Sequence, residues 1–196
     1  MEQEDTNIFF SLLKPHYSDA LRYCRSLCAS KHAGESDDVL QQSLLQAIES
    51  FDNLKEHAKF KQWLFRIITN CFYDSIRGSI WKKFLQLDTY EGRDNIPDIY
   101  NQFDMSEKSE LLNKALTRLN AKERITILLF EVSKFTIEEI VEIQKEKSLS
   151  AVKSRLSRTR EKLKNIIIKL ENDNIYKTNN ILESNITKKS GNVEIL

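Results

Sequence analysis

Five basic side chains crowd into residues 151–163, which read AVKSRLSRTREKL. Lysine and arginine at this density are the groups that neutralise the phosphates of a nucleic acid. On a helix, which advances about 100° per residue, Val152, Leu156 and Leu163 form one apolar seam, and small polar residues lie opposite between two basic flanks. The stretch therefore predicts either a solvated charged face or a helix that enters a groove between phosphate backbones.

Cysteine and histidine, the other residues that could do chemistry, are few and poorly spaced for it. Cys24, Cys28 and Cys71 form no CxxC pair, and no pair of histidines completes a tetrahedral zinc site with them. The three histidines have no nucleophile or ligand partner at a suitable spacing. We therefore expect reduced, buried thiols, no metal, no cofactor and no enzymatic activity.

The composition is that of a helical globular protein. Of the 196 residues, 40% are hydrophobic and 30% are charged, with only 4 glycines and 2 prolines. So few chain breakers disfavour a β architecture with many turns. The N-terminus lacks the basic start and long apolar stretch of a secretory signal, and no apolar run is long enough to span a bilayer. We predict an all-α fold, a cytoplasmic location and no membrane insertion.

Charge is segregated along a chain that is almost neutral overall. Residues 59–83 hold six basic side chains and one acidic, residues 88–110 hold seven acidic and two basic, and residues 153–169 hold seven basic and one acidic. The order is a basic module, an acidic connector and a second basic module. Nucleic-acid binding at both ends is therefore expected.

The first module, residues 1–84, is predicted to contain three helices. The first runs from about Phe9 to Cys28, and the second is N-capped by Ser36 and runs to Phe51. The third begins at Phe60. The buried residues of the second and third helices are predicted from their spacing to be Leu40, Leu44, Leu45, Ile48, Phe51, Phe60, Trp63, Leu64, Ile67, Ile68 and Cys71.

The second module, residues 109–170, has the order of a helix-turn-helix. Thr136 begins a capping box in the sequence TIEE, and a short helix follows. After a turn, Ser148 is predicted to cap the basic helix, which is then the reading helix. Residues 85–108 are predicted to form a flexible acidic linker, and residues 171–196 to form a disordered tail.

Two stretches together resemble the sigma-70 family of bacterial RNA polymerase specificity subunits, in its extracytoplasmic-function group. SDDVLQQSLLQAIESF followed by FKQWLFRIITN is similar to the second conserved region of that group, and LNAKERITILLFEVSKFTIEEI followed by SLSAVKSRLSRTREKL is similar to its fourth. The turn at residues 144–147 is one residue longer than the family's usual turn and lacks its glycine. The resemblance implies a sigma factor that directs promoter recognition, DNA melting and transcription initiation.

The resemblance also implies partners and site residues. Asp38, Gln41 and Gln42 would contact core RNA polymerase. Melted non-template DNA at the minus-ten element would be bound by Lys55, His57, Lys59, Lys61, Arg66 and Asn70. Duplex DNA at the minus-thirty-five element would be bound by Ser150, Lys153, Ser154, Arg155, Ser157, Arg158 and Arg160. An anti-sigma factor is a further partner that the family admits.

Three alternatives remain open at the level of sequence. The acidic connector is either a solvated linker or a segment that threads into basic channels of the polymerase. The chain could instead be a stand-alone helix-turn-helix regulator whose residues 1–84 sense a signal or dimerise. It could also be a helical interaction protein that does not bind DNA. The sigma-factor interpretation is preferred because it accounts for both basic modules and the acidic connector.

Overall fold

The computed structural model describes residues 3–29, 33–85 and 107–190, and every regular element in these ranges is helical. This confirms the all-α prediction. Most of the predicted linker, residues 86–106, and the last six residues lie outside the described part of the chain. The α-helices are α1 Gln3–Leu13, α2 Tyr17–Leu27, α3 Ala33–Glu49, α4 Phe60–Leu85, α5 Glu107–Thr117, α6 Ala121–Glu131, α7 Ile137–Gln144 and α8 Leu149–Ser190.

The helix is interrupted between α1 and α2, where the sequence predicts one continuous helix from Phe9 to Cys28. Pro15 causes the break, because it has no backbone N–H and its ring clashes with the carbonyl of the preceding turn. Helix α1 therefore ends at Leu13, and α2 begins at Tyr17. The prediction of a single helix is corrected to a pair of helices.

Helix α3 differs from its predicted pattern in two places. It begins at Ala33, so Ser36 is not an N-cap but lies inside the helix, where it is buried. Leu45 was assigned to the buried stripe but is 56% exposed. The buried side of α3 is centred on Leu40 and Ala47, and Leu45 projects from nearly the opposite side of the helix.

Helix α4 is buried along two faces rather than one. The predicted seam, which includes Leu64 and Ile68, is almost inaccessible. Phe65 and Phe72 lie on a second face that is equally buried. The Phe65 ring lies 5.2 Å from the ring of Tyr23 on α2, measured between centroids. Helix α4 is therefore the central element of the first module.

The second module is organised by capping at the start of each short helix. Asn120 and Glu123 form a capping box at α6, and Thr136 and Glu139 form the predicted one at α7. Beside the first of these, the buried guanidinium of Arg124 donates to the carbonyls of Thr117 and Leu119, at 3.2 and 3.3 Å. These bonds fix the turn between α5 and α6.

The two modules pack directly against each other in the described structure. Helix α2 contacts α6, and α4 contacts α7. Arg124 Nη1 donates to the carbonyl of Leu27 at 2.7 Å, which satisfies one of the free carbonyls at the end of α2. The Phe65 and Phe135 rings meet edge to face with centroids 5.0 Å apart. The buried residues of both modules consequently form one hydrophobic cluster.

Helix α8 continues well beyond the predicted end of the second module. The sequence predicts a disordered tail from residue 171, whereas the structure extends the helix to Ser190. No glycine or proline occurs between Leu149 and Ser190, and the first glycine after the helix start is Gly191. The absence of helix breakers allows backbone hydrogen bonding to continue through this polar sequence.

The turn between α7 and α8 is closed by a lysine in the left-handed conformation. Lys145 has φ 51° and ψ 46° at the C-terminus of α7, the place where a glycine is common. Ser148 Oγ then accepts from the amide of Ala151 at 3.2 Å, which confirms the predicted cap of α8. Lys145 thus takes the position of the missing glycine.

Replacing this lysine by glycine is expected to stabilise the chain. Lys145→Gly removes the contact between Cβ and the backbone that a left-handed residue suffers, so the free energy of unfolding should rise by about 1 kcal/mol. Chemical denaturation followed by circular dichroism measures the change. Lys147→Gly is the control, because Lys147 has no positive φ and should lose roughly 0.5 kcal/mol to added chain entropy. Equal losses in both variants would contradict the assigned role of Lys145.

Candidate nucleic-acid interface

One face of α3 carries the residues predicted to contact polymerase. Asp38, Gln41 and Gln42 are all exposed, and none of them is drawn into the core. Leu45 lies among them as an exposed apolar side chain. The face therefore offers polar groups around an apolar centre, which is the arrangement of many protein–protein contact surfaces.

The loop between α3 and α4 exposes three of the residues predicted to bind minus-ten DNA. Lys55, His57 and Lys59 are exposed. The His57 ring stacks on the buried ring of Phe51, with centroids 5.7 Å apart and planes inclined by 16°. Lys59 Nζ pairs with Glu56 at 3.0 Å. The loop is thus attached to the core by an aromatic contact while its cations face outward.

Helix α4 divides its predicted minus-ten residues between two environments. Arg66 and Asn70 are exposed, as predicted. Lys61 turns instead toward the second module, where its Nζ donates to the carbonyl of Ser133 at 2.8 Å and lies 4.8 Å from the centroid of the Phe135 ring. Lys61 is therefore not free to contact DNA in this structure, because the loop before α7 occupies its ammonium group.

The outward face of α8 is open along its first three turns. The seam residues Val152 and Leu156 are buried against the rest of the module, as predicted. The predicted minus-thirty-five residues that are exposed are Ser150, Lys153, Ser154, Ser157, Arg158 and Arg160. Small hydroxyls between cations leave room for base edges to approach while the cations reach phosphates.

Arg155 is the exception, because it points into the module. Its side chain is only 15% exposed, and its Nη1 pairs with Glu146 at 2.9 Å and donates to Gln144 Oε1 at 3.0 Å. Burial alone would raise the pKa of Glu146, but the bonds from Lys122 and Arg155 outweigh it and hold the pKa below its ordinary value. Arg155 was predicted to contact DNA, and its structural position is that of an internal ion pair. Arg155 therefore links α8 to the turn that precedes it.

Two other cations of α8 are paired at the surface. Arg160 donates to Glu131 at 2.6 Å and stacks over the Phe130 ring at 5.0 Å from its centroid. Lys162 pairs with Glu123 at 2.7 Å. Both side chains remain partly exposed, so these pairs are weak and salt-sensitive. The basic side chains of α8 therefore differ in exposure and in ion pairing, although the sequence pattern does not distinguish them.

The fold adds two residues whose positions the helical pattern did not indicate. Arg118, at the end of α5, lines a shallow groove together with Arg158, Lys162 and Lys169 of α8. Because Arg118 comes from another helix, no pattern within α8 could have identified it. Tyr73 of α4 is half-buried beside the second module. Burial raises the pKa of its hydroxyl above the ordinary value, and the nearby charge of Arg155 in the second module only partly offsets this.

Other kinds of site are not found in the part of the chain that the structure describes. Within residues 3–29, 33–85 and 107–190, no three His, Cys, Asp or Glu side chains are arranged to hold a metal ion. All three thiols are buried, and burial raises the pKa of Cys71 and Cys24. No helix in these ranges is both long enough and apolar enough to cross a membrane.

Comparison with known proteins identifies both modules. Models of sigma-70 region 2 and sigma-70 region 4 match residues 12–81 and 109–163, which together are more than half of the chain. The ECF RNA polymerase sigma factor SigW of Bacillus subtilis is 24% identical over 84% of this chain and 91% of its own length.

Two solved structures have the same fold. One is a co-crystal structure of the sigma factor RpoE in complex with the anti-sigma factor NepR from Bartonella quintana. It is 26% identical, with a TM-score of 0.64, and covers 81% of this chain and 96% of RpoE. The other is CnrH in complex with the cytosolic domain of CnrY, at 22% identity and a TM-score of 0.60 over 84% of this chain and 90% of CnrH.

The matched regions coincide with the two helical modules, occur in the family's order, and contain the exposed faces of α3, α4 and α8 described above. The chain therefore belongs to the sigma-70 family and is an RNA polymerase sigma factor of the extracytoplasmic-function group.

Proposed function

We propose that this sigma factor binds core RNA polymerase through α3, holds melted minus-ten DNA with α4 and the preceding loop, and reads the minus-thirty-five element with α8. The observation that carries the assignment is the presence of two matched regions in one chain, each with an exposed face of suitable chemistry. The chain acts in the cytoplasm, where it has no catalytic activity of its own. It confers promoter choice on an enzyme that supplies the chemistry.

The polymerase contact is centred on the outward face of α3. Its residues Asp38, Gln41 and Gln42 offer one carboxylate and two amides, and Leu45 adds apolar area that water solvates poorly. A partner with basic and polar side chains around an apolar groove would complement this surface. We assign Leu45 to the contact because no described element of this chain covers it.

The minus-ten contact uses groups suited to unstacked bases. Asn70 can both donate and accept a hydrogen bond, and Arg66 can pair with a phosphate or stack on a base. Both lie on the exposed side of α4, which begins directly after the loop that presents Lys55, His57 and Lys59. A continuous cationic surface of this kind follows a single strand more readily than a rigid duplex.

The minus-thirty-five contact uses the first turns of α8. Lys153 and Arg158 are the exposed cations nearest the serine face, and Arg118 extends the basic surface beyond the helix itself. Ser154 and Ser157 reach base edges directly or through water. This division assigns positioning to the cations and sequence reading to the serines together with Arg158.

An anti-sigma factor is a further proposed partner. The solved relative RpoE was crystallised with one, and the matched sequence covers most of both chains. A protein of this kind would have to cover the α3 face or the α8 face to exclude polymerase or promoter.

Reconstitution tests the function directly. The chain mixed with core bacterial RNA polymerase and a random promoter pool should yield transcripts that start at a shared subset of sequences. Core polymerase without the chain should show no such subset. Binding of duplex promoter by the chain alone, with no polymerase-dependent transcript, would instead support a stand-alone regulator.

Charge reversal on α3 should weaken polymerase binding. The double variant Asp38→Lys with Gln42→Lys places two cations at the centre of the face, and we expect a loss of about 2 kcal/mol, roughly 30-fold in affinity. Titration of labelled core polymerase measures it. The control is Glu171→Lys with Asn172→Lys, which makes the same charge change at exposed positions of α8. Equal affinities for the two double variants would move the contact away from α3.

Substitutions in α8 should separate DNA contact from folding. Lys153→Gln in holoenzyme should weaken binding to all promoters and reduce the slope of log affinity against log salt by roughly 0.9. Ser154→Ala should change the preferred minus-thirty-five sequence instead. Arg155→Gln should lower the free energy of unfolding by roughly 2 kcal/mol, because it removes a charged bond to Glu146. A variant Arg155→Gln of unchanged stability but altered salt slope would show that Arg155 contacts phosphate.

A further inference from the structure

The carboxylate of Glu146, in the turn between α7 and α8, joins several elements of the second module. Its Oε1 lies 2.7 Å from Lys122 Nζ on α6 and 2.9 Å from Arg155 Nη1 on α8. The Glu146 side chain is only 9% exposed. Its backbone amide donates to the carbonyl of Val141 on α7 at 2.9 Å. Helices α6, α7 and α8 are therefore all held to this one residue.

Gln144 adds a second link at the same place. Its Oε1 accepts from Arg155 Nη1 and from Thr126 Oγ1 on α6, both at 3.0 Å. Hydrogen bonds weaken steeply when the donor turns away from the acceptor, so a guanidinium held by a carboxylate and an amide oxygen has a defined direction. Arg155 is thus fixed in orientation as well as shielded from solvent.

The apolar seam of α8 sets the rotation of the helix less closely. Val152 and Leu156 are buried against the module, but apolar contact is non-directional and tolerates a small rotation. Because a helix with its side chains has a radius of roughly 5–6 Å, a rotation of about 20° moves the side-chain tips by about 2 Å. A direct hydrogen bond to a base edge tolerates a range of only about 0.5 Å. The rotation of α8 therefore decides which bases Ser154 and Arg158 can read.

The length of the turn leaves this rotation to side-chain contacts. The turn at residues 144–147 is one residue longer than the family's usual turn and lacks its glycine, and Lys145 closes it in the left-handed conformation. Each added residue brings two more rotatable backbone dihedrals, so a longer turn constrains the start of the next helix less. The contacts of Glu146 supply the constraint that the backbone of the turn does not.

We infer that Glu146 is a positioning residue for promoter reading: by holding Lys122 and Arg155 it fixes the rotation of α8, and thereby the minus-thirty-five bases that this helix selects. The inference rests on the proposed function, because it needs α8 to be the reading helix. Glu146 does not touch DNA in this role, since its charge repels phosphate. Its effect reaches the bases through Arg155, which follows Ser154 directly in the chain.

Selection of minus-thirty-five sequences by Glu146→Gln holoenzyme tests the inference. The substitution keeps the size of the side chain and removes the charge that holds the two cations. Sequencing of the promoters that are bound from a pool randomised at this element gives the preference for each base. We expect discrimination at one or more of the bases that the wild type selects to fall by about 5-fold or more, the loss of one direct base contact. Circular dichroism establishes that the variant is folded at the assay temperature.

Glu131→Gln is the matched control for the loss of a carboxylate. Glu131 also pairs with an arginine of α8, Arg160, at 2.6 Å, but this pair is exposed and does not involve the turn. The control therefore removes the same charge and releases one cation of the same helix. The inference expects Glu131→Gln to keep the wild-type base preference. Identical preferences for Glu146→Gln and the wild type would overturn it, as would an equal change in the two variants.

Lys122→Gln covers the case in which Glu146→Gln does not fold. Lys122 is 52% exposed, and its substitution releases Glu146 from α6 while the pair with Arg155 remains. Base discrimination should then fall by a smaller factor, and a preference equal to that of the wild type would contradict the positioning role. The proposed function fails separately, because its failure would appear as a wild-type holoenzyme that selects no shared minus-thirty-five sequence.

Discussion

The ring of Phe65 is the point on which the described structure depends. It lies between Tyr23 of α2 and Phe135 of the second module, and it is fully buried. Helix α4 therefore cannot be treated as the edge of a separate domain. One of its faces builds the core of the first module, and another closes over the second. The packing around Phe65 therefore fixes the positions of the exposed faces of α4 and of the helices packed against it.

Ion pairs within the second module decide which of its basic residues remain available. Glu146 takes Arg155 into the base of the helix-turn-helix, while Glu131 and Glu123 engage Arg160 and Lys162. The Arg155 pair is largely shielded from solvent. The other two pairs lie at the surface, so salt weakens them more than it weakens the Arg155 pair. Helix α8 thus contains one cation that stabilises the module and others that remain accessible, as the proposed DNA contact requires.

The apolar periodicity made much of this fold predictable. The seam of α8, the Thr136 capping box and the cap at Ser148 follow from local spacing, because each involves residues within one or two helical turns. The break between α1 and α2 also has a local signal, Pro15, because proline rarely continues a helix.

Features that depend on partners from distant segments could not be read in the same way. Phe65, Phe72 and Ile76 repeat at helical spacing on α4, and this second apolar stripe was the available signal that α4 packs on two sides. The local sequence does not show that Arg155 forms an ion pair with Glu146. The helical pattern would be the same if the Arg155 side chain pointed into solvent. The prediction that Leu45 is buried is wrong for a different reason, which is local. Its apolar type suggests the core, but its angle on α3 places it on the polar face.

The contact between α4 and the second module combines apolar and polar groups. A wholly apolar contact would join the modules permanently, and a wholly polar one would not hold them in water. Here one aromatic pair is flanked by Lys61 and Gln62, whose partners are a backbone carbonyl and a carboxylate. The aromatic pair therefore supplies the hydrophobic part of the contact, and the two hydrogen bonds satisfy the polar groups at its edge.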